Sequence, residues 1–566
     1  MNPKIENLLQ ISVQADEVRD SIPDMKAGYN SQGRTWEVII KATESLQEIK
    51  GKYGNAVFTQ LLCGYWIITA SIEDIERLAN EPDVIFIEKP KALYLELFAA
   101  KSEACVNTAK SPATSYGGVA GRGVLVAIID SGIDISDREF LNGNGTTRIR
   151  NLWDQGTGIV YSQDEINGIL EENRQLRSRY LPAADNTGHG NAVAVIACGN
   201  SGVASESDII VVKLGNAGGD PFVRTTQLMR GLDYCIRKAI EYKQPISVNI
   251  SYGGTYGNHE GNSVFEMFID DCCGVYKCSV CIGAGNEGEG RTHFSGKLDA
   301  GIVQYAELAI GDYEPQISIQ IWKRAIDDAL IELISPTGQI IVISDRNAGV
   351  VKNQIGEINI VSRAYGPGPF YMEEEIYAAM VATNGYITAG IWRLRFQPLK
   401  ILDGQFNVWL PPVSTLSNST GFLKPSPEYT YTIPSTSRRA ICVGANGRYP
   451  GSAAIFSGRG INVKSGLILY DKPDITAPGV NISIPGVTER YVTGTSFAAP
   501  MVTGAAAMFM EWGIVKGNDP YMYGEKIKAY LIEGATRIGN VWPDSAKGWG
   551  ELCVASSIQA INSFNT

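Results

Sequence analysis

Two patterns of hydrophobic and polar positions divide this chain of 566 residues. Residues 124–129 form a continuous apolar run that ends at Asp130, and such runs are typical of parallel strands buried on both faces. Residues 298–430 instead alternate at period two between turns that contain Pro and Gly, which is typical of β-sandwiches and jelly rolls. We therefore predict an α/β fold with a parallel-sheet core and an inserted β domain.

The predicted elements of the core alternate between strands and helices, as βαβ units require. They are strand 124–129, helix 190–198, strand 208–212, helix 226–242, strand 247–250 and helix 263–276. The predicted strands of the insert are 316–322, 330–334, 339–343, 386–389, 391–397 and 406–410. We expect the core to resume at residue 431.

Residues 35–88 predict a small unit ahead of the core. Its elements are strand 36–40, helix 43–50, strands 57–62 and 65–70, helix 72–80 and strand 84–88. This βαββαβ order is that of the split ferredoxin-like α+β unit. Residues 1–34 carry only a weak helical pattern and form an extension of it.

The segment Gly494-Thr495-Ser496-Phe497 places a serine at a glycine-led turn, ahead of a helix predicted over Met501–Met510. A hydroxyl at that place lies at the positive end of the helix dipole and beside backbone N–H groups. These are the needs of a nucleophile whose developing oxyanion must be stabilised. The alternative is that Ser496 only caps a buried helix.

Two further side chains complete a candidate relay. Asp130 follows a buried strand, at the edge where open α/β sheets place their sites. His189 lies between two glycines and, unlike His259 and His293, is embedded in a motif. Each has a plainer alternative, since Asp130 could cap a turn and His189 could be an ordinary loop residue.

The chain order Asp130, His189, Ser496 matches one of the known ways of building a Ser–His–Asp relay. The sequence resembles the subtilisin-like serine proteases over roughly 101–297 and 430–566. The resemblance implies that Ser496 attacks the peptide carbonyl, that His189 transfers its proton and that Asp130 orients the imidazole. It also implies an oxyanion-hole amide on Asn286, for which the alternative is a turn residue between glycines.

The same resemblance assigns a group of residues to the substrate cleft. They lie on the substrate-pairing strand and on the segment before Asn286, and are Ser251, Tyr252, Gly253, Gly254, Gly283, Ala284 and Gly285. Tyr252 could equally be an ordinary strand residue that packs elsewhere. The chain departs from the family pattern at Asn191, Ala192 and Ser205, none of which donates the catalytic proton.

A propeptide-like unit, a subtilase core and a jelly-roll insert together resemble the clostridial germination proteases of the Csp group. The resemblance implies four segments: a propeptide over 1–100, a catalytic first part over 101–297, an insert over 298–430 and a catalytic second part over 431–566. In that group the propeptide stays in the cleft after self-cleavage, for which we expect a bond between residues 90 and 103, and the insert braces the core. The known task is to activate the proenzyme of a spore-cortex-lytic hydrolase.

Two other functions remain open from the sequence. The chain could be a non-catalytic or silenced signalling scaffold on a subtilase fold, or a general degradative subtilase. The complete triad favours an active enzyme over the first of these.

Composition limits the classes of partner and cofactor that we expect for this chain. The net charge is −11 and there is no basic run, which argues against nucleic-acid binding. We expect no membrane span, no signal peptide and synthesis in the cytoplasm, with a place in the spore implied by the resemblance. Of ten cysteines, Cys272, Cys273, Cys278 and Cys281 cluster, and we expect buried free thiols there with no bound metal or other cofactor.

Overall fold

The fold was analysed in a computed structural model of the chain. It describes residues 2–43, 45–95, 104–110, 118–172, 181–215, 222–344, 349–447, 449–460, 472–485, 490–539 and 541–564. The structure is an α/β fold whose main sheet is mostly parallel, with an inserted β domain and an N-terminal α+β unit that we call the prodomain, after the expectation above.

The elements follow one another in four stretches of chain. The first contains helices α1 (Asn7–Gln14), α2 (Asp16–Arg19), α3 (Pro23–Lys26) and α4 (Ile72–Ala79) and strands β1 (Tyr29–Asn30), β2 (Thr35–Ala42), β3 (Val57–Gln60), β4 (Tyr65–Ser71), β5 (Val84–Glu88) and β6 (Ala92–Leu95). The second contains helices α5 (Val106–Lys110), α6 (Gln163–Glu171), α7 (His189–Cys198), α8 (Thr225–Tyr242) and α9 (Val264–Val275) and strands β7 (Leu125–Asp130), β8 (Ile149–Asp154), β9 (Ile159–Ser162), β10 (Asp208–Lys213), β11 (Val223–Arg224), β12 (Ile246–Ile250), β13 (Tyr252–Gly253) and β14 (Cys278–Gly283).

The remaining two stretches are the β-rich insert and the return to the main sheet. The insert contains β15 (His293–Lys297), β16 (Gln304–Ile310), β17 (Gln316–Arg324), β18 (Asp328–Ile334), β19 (Ile340–Val342), β20 (Val351–Ile355), β21 (Ile358–Tyr365), β22 (Glu373–Ala382), β23 (Gly390–Lys400), β24 (Gln405–Trp409) and β25 (Gly421–Phe422). The last stretch contains β26 (Ile441–Asn446), β27 (Ile475–Pro478), β28 (Ile482–Ile484) and β29 (Arg490–Val492) and helices α10 (Thr495–Met510), α11 (Glu525–Glu533) and α12 (Val554–Phe564).

The main sheet has the strand order β27-β26-β14-β12-β7-β10-β8-β9 and is covered by helices on both faces. Strand β7 shows how the sequence builds these layers, because its side chains alternate between two apolar clusters. Val126 and Ile128 pack with α7 and α10 on one face, whereas Ala127 and Ile129 pack with α8 and α9 on the other. All six residues of β7 are therefore buried, as the apolar run predicted.

The insert folds into two antiparallel sheets that pack face to face. One sheet has the order β15-β24-β17-β22-β21-β20 and the other β19-β18-β23-β16-β25. Their facing side chains form a separate apolar cluster that contains Trp392, Phe396 and Phe406. The insert thus has a core of its own, as expected for a β-sandwich.

The extension over residues 1–34 has a structural role that its weak pattern did not reveal. Helix α1 and the residues that follow it place Leu8, Ile11 and Val18 against strands β21 and β22 of the insert. On its other side, Leu9 packs into the core of the prodomain. The extension therefore joins the prodomain to the insert.

Two of the predicted elements were wrong. Residues 45–49, within the predicted helix 43–50, form turns ahead of a single 3₁₀ turn at Lys50–Lys52, and the predicted strand 386–389 is irregular. The chain makes these connections with turns, which short apolar patterns cannot distinguish from regular elements. Among the described cysteines, Cys105 and Cys553 form a disulfide, whereas the clustered ones are buried free thiols.

Within the described residues, one helical stretch, Thr495–Val515, is long and apolar enough to cross a membrane. In its most apolar window 83% of the residues are buried inside the fold, where it serves as the central core helix. The described residues contain no group of three or more His, Cys, Asp or Glu side chains that could hold a metal ion.

Candidate active site

Asp130 and His189 meet at the carboxyl edge of the main sheet. Asp130 ends strand β7 and His189 begins helix α7, and the imidazole Nδ1 lies 2.7 Å from Asp130 Oδ1. Both side chains are almost completely buried. The carboxylate also accepts a hydrogen bond from the backbone N–H of Ser131, at 2.7 Å. This arrangement fixes the ring, because a carboxylate at Nδ1 selects the tautomer that leaves Nε2 as the acceptor.

The close approach of α7 to β7 depends on a glycine. A Cβ atom on Gly190 would lie 2.4 Å from the backbone oxygen of Gly132. The next residue, Asn191, stands where the family pattern differs, and it ties the start of the helix to the preceding loop. Its side chain accepts from the backbone N–H of Asp134 at 3.0 Å and donates to Asp137 at 3.1 Å. The departure at Asn191 therefore supplies local bonds that hold His189 in place.

Ser496 lies in the first turn of helix α10 and is buried. The helix begins at Thr495, six residues before the predicted start, because Gly494 supplies the turn with a φ of +147°. The backbone oxygen of Ser496 accepts a hydrogen bond from the hydroxyl of Ser251, at 3.0 Å. The serine is thus joined to the strand that was predicted to pair with substrate.

The imidazole of His189 lies next to the start of this helix. Its ring centroid is 5.1 Å from that of Phe497, the residue after the serine, and 6.5 Å from that of Tyr252. Among the described residues, His189 Nε2 has no hydrogen-bond partner. Asp130 and His189 are therefore hydrogen-bonded to each other, and the helical turn that carries Ser496 lies beside the imidazole. The imidazole Nε2 makes no hydrogen bond to the serine hydroxyl in this structure.

Asn286 presents an unused donor to the same region. Its Oδ1 accepts from the backbone N–H of Thr495 at 3.1 Å and from the Thr495 hydroxyl at 3.2 Å. These bonds fix the orientation of the amide, so its Nδ2 faces the other way, buried and without an acceptor among the described residues. A buried, oriented N–H group of this kind is what an oxyanion site requires.

The residues before Asn286 hold this loop against the serine helix. Gly285 has a φ of +95° and donates from its backbone N–H to the Thr495 hydroxyl, at 3.1 Å. A Cβ atom on Gly283 would lie 3.1 Å from the backbone of Thr495. Ala284 is fully buried and donates from its backbone N–H to Val443, which fixes the loop on strand β26.

Glu287, directly after Asn286, is a buried residue that the sequence analysis did not single out. Its carboxylate accepts from the hydroxyl of Thr292 at 2.9 Å and from the backbone N–H of Val413 at 3.0 Å. Burial raises the pKa of Glu287 to about 7, although both hydrogen bonds act to lower it. Since Val413 follows the last long strand of the insert, this carboxyl group connects the insert to the oxyanion loop.

A strand from the prodomain lies in the predicted substrate cleft. Strand β6 is the middle strand of a three-stranded antiparallel sheet, with β13 on one side and β11 on the other. Leu95 pairs with Tyr252 and Tyr94 with Gly253, while Leu93 pairs with Val223. We call Ala92–Leu95 the tail strand. Its backbone is paired as a bound peptide substrate would be.

Gly254 and Leu93 shape the upstream part of the cleft. A Cβ atom on Gly254 would lie 3.1 Å from the backbone oxygen of Ala92. The side chain of Leu93 is buried among apolar residues that include Val223 and Tyr252. A cavity of about 460 Å³ borders Leu93 and Tyr252 and continues to Asp154. The cleft therefore offers an aliphatic site at the position of Leu93 and further room beside it.

Strand β11 was missed by the sequence analysis. It contains only Val223 and Arg224, and two residues carry no periodic signal. Its position follows from its pairing with the tail strand and from Thr225, whose backbone N–H donates to the Lys91 carbonyl at 3.0 Å.

A buried ionic group holds the start of the tail strand. Lys91 Nζ lies 2.6 Å from Glu6 and 3.1 Å from Glu88, and all three side chains are nearly inaccessible. Burial lowers the pKa of Lys91, but the two carboxylates outweigh it and raise the pKa overall. Glu88 in turn accepts from the backbone N–H of Val264 at the start of α9, at 2.8 Å. The tail is therefore held by charges from both the prodomain and its extension.

Comparison with known proteins agrees with this geometry. Residues 3–91 match the family described as the Csp protease B prodomain, and residues 121–310 and 412–550 match the subtilase family. The prodomain match begins at residue 3, so residues 3–34 of the N-terminal extension fall within that family's prodomain.

A solved structure and curated sequences were also similar. The structure of the Clostridium perfringens CspB protease has a TM-score of 0.73 and 34% identity, covering 82% of this chain and 98% of that one. A subtilisin-like protease of Coccidioides posadasii is 26% identical over 240 residues, which is 41% of this chain and 50% of the relative. Subtilisin-like protease 5 of Arthroderma gypseum is 26% identical over 250 residues, 39% of this chain and 55% of the relative. The chain thus spans about half the length of the curated relatives it matches.

Proposed function

Because the chain belongs to the subtilase family of serine proteases, we propose that it is an endopeptidase whose catalytic residues are Asp130, His189 and Ser496. The observation that carries this proposal is the buried hydrogen bond between Asp130 and His189 Nδ1, beside helix α10, which carries Ser496 in its first turn. A carboxylate at Nδ1 leaves Nε2 free to take a proton from the serine hydroxyl.

The chemistry of each group follows from its position. Ser496 Oγ attacks the peptide carbonyl while its proton passes to His189 Nε2, and Asp130 stabilises the resulting imidazolium. The Asn286 Nδ2 donor stabilises the oxyanion, and no reorganisation is needed because its orientation is set by Thr495. His189 then returns the proton to the leaving amine.

The first substrate of this site is the chain itself. The tail strand ends at Leu95 opposite Tyr252, and the residue before Tyr252 is Ser251, whose hydroxyl contacts Ser496. The direction of the strand carries the chain toward the catalytic serine. We therefore place the self-cleaved bond after Leu95, in the later part of the window 90–103; residues 96–103 lie outside the described residues.

The prodomain remains bound after this cut. Polar contacts from Glu37 and Glu88 hold it on the catalytic core, and its extension is packed on the insert. The tail strand keeps the cleft occupied, so later substrates must replace it. This favours a limited set of protein substrates, with the proenzyme of a spore-cortex-lytic hydrolase as the expected one and the spore as the expected place of action.

One observation favours a second candidate function. Since the tail strand fills the cleft, the complete site could be silent, and the protein could then act through binding alone. Turnover of the protein separates the two, because a silent scaffold cuts neither itself nor an added peptide.

A fluorophosphonate probe tests the proposal. We expect the wild-type protein to be labelled at Ser496, and Ser496→Ala and His189→Ala to remain unlabelled while keeping the wild-type melting temperature. Thr503→Ser, which changes a buried hydroxyl further along the same helix, serves as the control and should be labelled. Wild-type protein that resists labelling and hydrolyses no peptide would favour the scaffold.

A further inference from the structure

The prodomain meets the catalytic core at a short turn that carries a cysteine. Leu62–Gly64 form one turn of 3₁₀ helix, in which Cys63 has a φ of +59°. This turn packs against helix α9 of the core. Cys272 lies in that helix, fully buried, in the same apolar cluster that Cys63 borders. Two thiols thus face each other across the boundary between the two parts of the molecule.

Polar contacts hold the turn in this register. Lys41 Nζ donates to the backbone oxygen of Cys63 at 2.9 Å and lies 3.1 Å from Asp271 Oδ2. The Tyr65 hydroxyl donates to the same carboxylate oxygen, at 3.1 Å. Because Asp271 is the neighbour of Cys272 in the chain, these bonds fix the relative positions of the two cysteines.

A second set of contacts holds the turn from its other side. The backbone N–H of Leu62 donates to Asp233 on helix α8, at 2.9 Å. The ring of Tyr65 packs edge-on against Phe268, one turn before Cys272, with centroids 5.2 Å apart. The turn is therefore clamped between two helices of the core, and the thiols do not depend on a mobile loop for their encounter.

The two thiols differ in the way that an exchange reaction requires. Cys63 is half-buried and within reach of a small reagent, whereas Cys272 is inaccessible. A hydrogen bond with Cys272 lowers the pKa of Cys63, against the effect of burial, while burial raises the pKa of Cys272. Cys63 is thus the more accessible thiol with the lowered pKa and reacts first, and Cys272 is the neighbour that resolves the product.

We propose that Cys63 and Cys272 form a redox latch, a disulfide that joins the prodomain covalently to the catalytic core when a disulfide oxidant is present. The Cys63 thiolate attacks one sulfur of oxidised glutathione and releases glutathione thiolate, leaving a mixed disulfide. The Cys272 thiol then loses its proton and attacks the Cys63 sulfur, which releases the second glutathione. The two cysteines lose two electrons and two protons, and one oxidised glutathione becomes two reduced molecules.

The latch has a consequence that the disulfide already described does not have. Cys105 and Cys553 both lie C-terminal to the tail strand, so their bond joins two parts of the catalytic fold. A bond between Cys63 and Cys272 joins the segments on either side of the self-cleaved region. When the latch is oxidised, the cut prodomain therefore cannot leave the enzyme; when it is reduced, non-covalent contacts alone retain the prodomain.

Peptide mapping tests the latch independently of proteolysis. Full-length Ser496→Ala protein is treated with oxidised glutathione, alkylated under denaturing conditions and digested with trypsin without reduction. We expect mass spectrometry to find residues 53–77 linked to residues 244–277 in most of the protein. The link should fall at least tenfold in Cys63→Ser and in Cys272→Ser. Because this protein cannot cut itself, the result does not depend on the proposed protease activity.

Matched variants show which of the neighbouring cysteines forms the link. Cys273→Ser changes the adjacent buried cysteine, and Cys278→Ser changes the next one, so both should keep the link. Alkylation of both Cys63 and Cys272 in oxidised wild-type protein, or transfer of the link to Cys273, would overturn the latch. In protein that has cut itself, the link should hold the prodomain in a non-reducing denaturing gel and release it on reduction.

Discussion

The surroundings of Ser496, the proposed catalytic serine, and of the prodomain boundary are built from different interactions. Helix α10 is packed on the main sheet by apolar side chains, with Ala498, Val502 and Phe509 fully buried. At the boundary, apolar contacts such as Tyr65 on Phe268 are interspersed with charged pairs, among them Glu37 with Arg230 at 2.8 Å. The strength of apolar packing changes little with salt or pH, whereas ion pairs are weakened by hydration, by added salt and by protonation of their carboxylates.

The difference separates two tasks. The proposed catalytic groups are fixed by the core, whereas the prodomain and its tail strand are held in part by contacts whose strength depends on conditions. On the proposed function, inhibition by the tail strand can thus change without any change in the catalytic groups. The following predictions test this separation, from the largest expected effect to the smallest.

Lys91→Met should loosen the tail most. It leaves the buried carboxylates of Glu6 and Glu88 without a counter-charge, and breaking a buried pair in this way costs about 3–5 kcal/mol. We expect the cut prodomain to dissociate at least about 100-fold more readily, measured by calorimetry with separated prodomain, while fluorophosphonate labelling of Ser496 persists. Lys91→Arg, which keeps the charge, should bind more tightly than Lys91→Met. Equal binding by the two variants would show that packing, not charge, retains the tail.

Asn286→Ala should lower the rate of peptide hydrolysis and leave the affinity for the prodomain unchanged. Loss of one oxyanion donor in a subtilase lowers kcat by about 10²–10³, or roughly 3–4 kcal/mol. We expect that loss in peptide hydrolysis with little change in KM and in prodomain affinity. Asn286→Asp keeps the size of the side chain but replaces the donor with an acceptor, so it should be similarly impaired. An increase in KM with an unchanged kcat would contradict the assigned role.

Glu287 should make the free energy of unfolding depend on pH. Its pKa is raised to about 7 in the fold from the ordinary value of 4.5, so the folded protein holds a proton that the unfolded chain has released. Its stabilising contribution is complete below pH 4.5 and is lost as the pH rises through 7, with a slope of at most about 1.4 kcal/mol per pH unit. Denaturant titrations from pH 4.5 to 8 should show this slope reduced in Glu287→Gln. If Glu287→Gln keeps the wild-type slope, Glu287 is not the source of the pH dependence.

Lys41→Met should have the smallest effect. Its partner Asp271 is 43% exposed in its side chain, and exposed ion pairs contribute about 0.2–1 kcal/mol. We expect prodomain affinity to fall severalfold at low salt and to approach that of the wild type in 1 M salt. This variant and Lys91→Met therefore compare a partly exposed lysine with a buried one at the same boundary. A loss as large as that of Lys91→Met would contradict the assignment of the main anchor to Lys91.

The sequence predicted the parts of the fold that are governed by continuous burial. The run before Asp130 became strand β7, and the glycine-led turn before Ser496 became the start of α10. Both patterns could be interpreted because the residues within each segment are enough to determine its structure. Strand β11 and the turns at 45–49 depend on partners elsewhere in the chain, so their local sequence carried no usable signal.

The candidate site was predictable in its residue types and not in its surroundings. The order of Asp130, His189 and Ser496 pointed to a proton relay, but nothing in the sequence indicated that Glu287 ties the oxyanion loop to the insert. The contact between Cys63 and Cys272 was equally hidden, because the two residues come from segments more than 200 positions apart. Long-range polar contacts of this kind leave no periodic pattern.

The most direct test of the account is intact-mass spectrometry of purified wild-type protein beside Ser496→Ala. The account predicts two wild-type fragments that copurify, divided at a bond between Leu95 and residue 103, and one full-length chain for the variant. A wild-type chain that stays whole, or a variant that is cut at the same bond, would contradict the claim that this serine performs the cleavage.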